Sequence, residues 1–147
     1  MLFNGSLESR ARRLFALSIS IGLLAIISLV SVLARFTNPP SLRVDLVLIA
    51  VALGGAATSF FLFKWSGFPK VTKASEVFSI SVSFFGSFIG FGSIVYLSSG
   101  VVETLDAGIW EATAGITTTA MSGLDAESLS SSMHIFRSLT QWVGGMS

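Results

Sequence analysis

The stretch Trp110-Glu111-Ala112-Thr113-Ala114-Gly115-Ile116-Thr117-Thr118-Thr119-Ala120-Met121-Ser122-Gly123 decides how this chain is read. Three consecutive threonines, Thr117, Thr118 and Thr119, run into Ala120 and are bracketed by Gly115 and Gly123. Hydroxyls and flexible backbone in this pattern suit oxygens turned toward a dehydrated cation better than a packed core. Taken alone, the stretch fits either a pore loop or a Thr-rich surface turn behind an amphipathic surface helix.

The surroundings place it in a membrane protein. Of the 147 residues, 52% are hydrophobic and only 12% charged, a balance that a soluble domain of this size does not bury. Residues 14–34 form an uncharged run behind Arg10, Arg12 and Arg13, long enough to cross a hydrocarbon core of about 30 Å. A cleaved signal peptide shares that plan, but the run exceeds a usual h-region and no small-x-small cleavage site follows it. Asn38, Pro39 and Pro40 then mark a turn. A second crossing is expected over residues 46–63, where Ala50, Gly54 and Thr58 make one face small enough for a neighbouring helix. Lys64, Trp65, Gly67, Pro69, Lys70 and Lys73 read as a short interfacial loop. The third uncharged run covers residues 77–102, with Ser79, Ser83 and Ser87 on one stripe and Gly86 and Gly90 on the next.

Six basic residues (Arg10, Arg12, Arg13, Lys64, Lys70, Lys73) fall on one side of these crossings and two (Arg35, Arg43) on the other, which puts the N-terminus in the cytoplasm. The segment after the third crossing therefore starts outside, where Glu103, Asp106, Asp125 and Glu127 collect and favour cations. Residues 105–116 look helical but are about half the length of a span. Thr104 is the expected N-cap, with Asp106 in the first turn. Entering from outside, such a helix ends near Gly115 with its partly negative end pointing inward, and residues 117–120 return outward in extended form with free carbonyls. Backbone of that kind is tolerated at membrane depth only where it is enclosed by protein or lines a wet cavity.

Other constellations carry less. His134 is the single histidine, and pairing it with Ser122, Ser130, Ser131 or Ser132 lacks the rigid setting a serine nucleophile needs. The expectation is that it caps the helix that follows. Glu111 either lines an ion entrance or bonds to nearby backbone donors, and Arg137 is an interfacial anchor or the partner of a loop carboxylate. There is no cysteine, no phosphate-binding glycine loop and no clustered metal-ligand motif, so no enzyme and no bound cofactor are expected. The basic residues form no stripe, so no nucleic-acid partner is expected either.

Two motifs resemble the Trk/Ktr/HKT superfamily of potassium and sodium transporters. Trp110-Glu111-Ala112 with Gly115-Ile116-Thr117-Thr118-Thr119 is similar to the family's FEA…SG-T-T-T-G pore loop. Phe136-Arg137-Ser138-Leu139-Thr140-Gln141-Trp142-Val143-Gly144-Gly145-Met146 is similar to its WRSLTQWxGGMG inner-helix start. The likeness is strong over residues 73–147 and only architectural over residues 1–72, which look like the family's leading helix pair.

The resemblance implies an all-α membrane fold in which outer helix, pore loop and inner helix repeat four times around one pore. This chain would supply the leading pair, one outer helix, one re-entrant pore helix with its filter loop, and the start of one inner helix. It implies K+, or K+ and Na+, as permeant ions, with Thr117, Thr118, Thr119 and Ala120 in the filter and Glu111 and Gly115 at the pore helix. It further implies a bacterial inner-membrane homodimer with a cytosolic nucleotide-binding regulatory subunit. The chain then reads as a fragment of a longer protein, not conducting alone. A homotetrameric channel and a small structural membrane protein are the alternatives. Ala120 stands where the family usually has glycine, which points to relaxed selectivity for potassium over sodium.

Overall fold

A computed structural model of the chain describes residues 2–33, 41–68, 71, 73–119, 121–125, 127 and 129–146. Among them there are five helices and no strand: α1 (Leu2–Leu33), α2 (Leu42–Ser66), α3 (Ala74–Ser99), α4 (Leu105–Ile116) and α5 (Ser131–Met146). Ser9–Leu33, Leu42–Ser66 and Ala74–Ser99 are each long and apolar enough to cross a membrane. Leu53, Phe61, Phe78 and Trp65 lie exposed along or at the ends of these spans, as lipid-facing side chains do.

α1 and α2 outrun the uncharged stretches that announce them, and α3 is displaced from its own. α1 continues back through Arg10, Arg12 and Arg13 to Leu2, rather than starting at residue 14. α2 exceeds the expected 46–63 at both ends, and α3 starts and stops about three residues before the expected 77–102. Apolarity marks what lipid can cover, whereas the helix extends as far as its backbone bonds and caps allow. At α3, Glu76 accepts the Lys73 N–H at 3.2 Å to open the helix, and Gly100, at φ +74°, closes it. Most of the turn expected at residues 36–41 lies outside the described residues, as do Pro69 and Lys70.

α1 and α2 run antiparallel. The Ser59 hydroxyl donates to the Ser18 carbonyl at 2.7 Å, and Gly55 lies so close to α1 that an added Cβ would sit 3.1 Å from that of Ala25. α3 runs parallel to α1: Arg12 pairs with Glu76 at 3.2 Å, and the Ser20 and Ser87 hydroxyls bond at 2.7 Å. At the opposite end Arg43 Nε donates to the Ser98 carbonyl at 3.1 Å. The three long helices thus alternate in direction, as successive crossings require.

Of the small-residue stripes, the serine stripe of α3 meets α1 at Ser87, but the glycines of the stripes are not where the helices meet. Added Cβ atoms at Gly54, Gly86 and Gly90 would find nothing within 4 Å, whereas Gly22, Gly55 and Gly92 are the crowded positions. Spacing shows that a helix has a small face, but the rotation of that face is set by its neighbours. The core, including Leu24, Leu48, Phe88, Tyr96, Ile116, Met133 and Phe136, draws on all five helices.

Candidate functional site

α4 begins where Thr104, with extended backbone (φ −125°, ψ 154°), occupies the N-cap. Its hydroxyl makes no capping bond and is instead bonded to Asp106. That bond, with first-turn backbone donors, holds the exposed Asp106 carboxyl below its ordinary pKa. Small residues then let α4 sink between α3 and α5. A Cβ on Gly108 would lie 2.9 Å from the Ser93 carbonyl oxygen, one on Gly92 3.2 Å from the Ala112 methyl, and one on Gly115 2.9 Å from Thr140 Oγ1. Gly144 of α5 abuts the Ile116 carbonyl at the end of α4, so closely that a side chain there has no room.

From Ile116 the chain folds back along α4. The Trp110 indole N–H donates to the Met121 carbonyl at 3.1 Å. One residue on, Glu111 is only 2% exposed and receives the Ser122 hydroxyl at 2.8 and 3.0 Å and the Gly123 N–H at 2.7 Å. The Ser122 hydroxyl oxygen in turn accepts the Leu124 N–H at 3.0 Å. Arg137 of α5 closes the arrangement, its Nε 3.8 Å from Glu111 Oε2. The Tyr96 hydroxyl is buried beside Thr140, Glu111 and Arg137, and the Tyr96 ring meets Phe136 edge-on at 5.8 Å. One buried carboxylate therefore joins α4, the returning segment and α5. A buried charge is retained only where donors and an opposite charge replace water, and Glu111 has both.

Arg137 is thus the partner of a helix carboxylate rather than of a loop carboxylate. Glu111 takes up the bonded role, with Ser122 and Gly123 as its donors. Gly115 serves as a close-approach position against Thr140.

The threonines lie at the reversal. Thr117 and Thr118 are not extended: the Thr117 N–H and hydroxyl both donate to the Thr113 carbonyl, at 2.9 and 2.6 Å, and the Thr118 N–H donates to Gly115 at 3.1 Å. The last carbonyls of a helix need donors, and these two residues supply them. Thr118 has φ +57°, a left-handed conformation that disfavours a β-branched residue. Thr117, Thr118 and Thr119 are all exposed, with the Thr117 and Thr119 hydroxyls 3.5 Å apart. Ala120 lies outside the described residues.

His134 does not cap α5. It sits within the first turn, and its backbone N–H, like that of Met133, donates to the Ser130 carbonyl at 3.0 Å. The Ser122 and Ser132 hydroxyls bond to carboxylates, Ser132 to Asp45 Oδ1 at 2.8 Å. This Asp45–Ser132 link, between the first turns of α2 and α5, escapes sequence reasoning. Asp45 is 1% exposed, and its one advance signal is an acidic residue at the mouth of an apolar run. Thr140 and Gly144 were visible only as members of the inner-helix motif, with nothing to say what they touch.

Compared with known proteins, this chain matches no family model, no curated protein and no solved structure.

Proposed function

We propose that α4 and the segment returning beside it form a re-entrant pore loop, one of four filter segments in a Trk-type transporter that takes up K+, or K+ and Na+. The observation that carries the reading is the hairpin tied by Trp110 to Met121 and by Glu111 to Ser122 and Gly123. A short helix with its continuation clamped antiparallel to it is what a pore loop requires. A merely surface-lying helix needs no such return.

Depth supports it. α5 is tied to the start of α2 through Ser132, and Ile116 meets Gly144 twelve residues later, about 18 Å along α5 at 1.5 Å per residue. If α5 runs inward from that end, the exposed threonines lie near mid-membrane, where polar backbone needs a wet path. Neutral oxygens are the ligands a partly dehydrated alkali cation takes, and Thr117, Thr118 and Thr119 supply hydroxyls and carbonyls. On this reading Gly115 lets the pore helix approach α5, Glu111 holds the filter strand, and Ala120 relaxes potassium selectivity. Three further filter segments complete the pore, within the bacterial inner membrane and with the N-terminus cytoplasmic. A homodimer gated by a cytosolic nucleotide-binding subunit completes the assembly.

Cysteine labelling tests it, because the chain has no cysteine of its own. Single cysteines at Thr117 and Thr119 are expected to react with a small charged thiol reagent applied from outside, and K+ is expected to slow the reaction. A cysteine at lipid-facing Leu53 is expected not to react. Unreactive positions 117 and 119, or labelling only from the cytoplasmic side, would overturn the reading. In the full-length transporter, Ala120→Gly is expected to raise the ratio of K+ to Na+ uptake.

A further inference from the structure

A groove of 430 Å³ runs between α2 and α3, floored by α1 and walled by Val47, Ala50, Gly54, Phe91, Ile94 and Ser98 among others. Its wall is apolar: the hydroxyl of Thr58, which also lines it, is turned inward to the Gly54 carbonyl at 2.8 Å. Along α2 it extends from Val47 to Thr58, about 16 Å at 1.5 Å per residue. That is about half the thickness of a hydrocarbon core, the depth of one leaflet.

At the mouth stands a cation. Arg43 is exposed, is held over the groove by its bond to the carbonyl of the lining residue Ser98, and has no carboxylate partner among the described residues. Gly100 leaves room for it, since a Cβ there would lie 2.7 Å from the guanidinium. An apolar slot one leaflet deep with an unneutralised guanidinium at its mouth matches an acyl chain carrying an anionic head. A packed transmembrane helix would fill the slot but give Arg43 no anion.

We infer that this groove is a binding site for an anionic phospholipid, with one acyl chain between α2 and α3 and the headgroup phosphate on Arg43. The inference rests on the membrane character of the chain and is independent of what the threonines do. The guanidinium suits the site because its planar donors match phosphate oxygens in pairs.

Native mass spectrometry of the detergent-purified chain, offered phosphatidylglycerol or phosphatidylcholine, tests it. The wild type is expected to retain phosphatidylglycerol about fivefold better, roughly the effect of one basic side chain at an anionic lipid surface. Arg43→Gln is expected to abolish the preference, Arg43→Lys to keep most of it, and Arg13→Gln, a basic residue near the other end of α1, to leave it unchanged. Gly54→Leu is expected to weaken retention of both lipids while the chain keeps its helical circular dichroism, because Gly54 faces open space. Equal retention of the two lipids by the wild type, a preference that survives Arg43→Gln, or a second copy of the chain in the groove would overturn the assignment.

Discussion

The leading pair α1–α2 and the α4 hairpin are built on opposite plans. Within the pair, contact comes from small residues and short hydroxyl-to-carbonyl bonds such as Ser59 to Ser18, and many side-chain hydroxyls bond their own helix, as Ser20 and Ser31 do. The hairpin is organised by a buried carboxylate that reaches two other segments. Where lipid covers both partners, an apolar run suffices to hold a helix in place. A half-length helix followed by irregular backbone must be held by specific bonds.

The sharpest way to break this contrast is to remove the carboxylate. Glu111→Ala should cost about 3–5 kcal/mol in thermal or denaturant unfolding, because the Ser122 hydroxyl and the Gly123 N–H lose their acceptor and the half-buried Arg137 its partner. No single truncation of a hydroxyl in α1 or α2 should approach that. Glycine replacements give the next largest difference. Gly144→Ala drives a methyl into the Ile116 carbonyl and should destabilise by about 1–3 kcal/mol, whereas Gly86→Ala, in open space, should stabilise by up to about 1 kcal/mol. Equal effects at the two glycines would mean that the α4–α5 approach is looser than described. Smallest is Ser87→Ala, which removes the hydroxyl bond to Ser20 and should cost about 0.6 kcal/mol, the usual size of such a bond between helices in lipid.

Much of the hairpin was legible in residues 105–123. The half-length of α4, the first-turn Asp106 and the helix end near Gly115 follow from spacing and charge alone. The conformation of Thr117 and Thr118 did not, because three threonines in a row suggest extended backbone while the open helix end beside them demands donors. Nor did the packing glycines: Gly54 and Gly55 are indistinguishable as sequence, yet one faces a groove and the other Ala25. Asp45 and Ser132 stand 87 positions apart, and no local pattern joins them.

By itself the sequence determined that the chain is helical, that three segments are apolar enough to cross a membrane, and that a short polar-tipped helix follows them. These are consequences of composition and periodicity, which act within a single element. Only the tertiary structure decided which glycine meets which neighbour, that Glu111 binds Ser122, Gly123 and Arg137, and that Asp45 holds the start of α5. Those pairings depend on how each helix is rotated about its own axis, and that rotation is set jointly by all five helices rather than by any one of them.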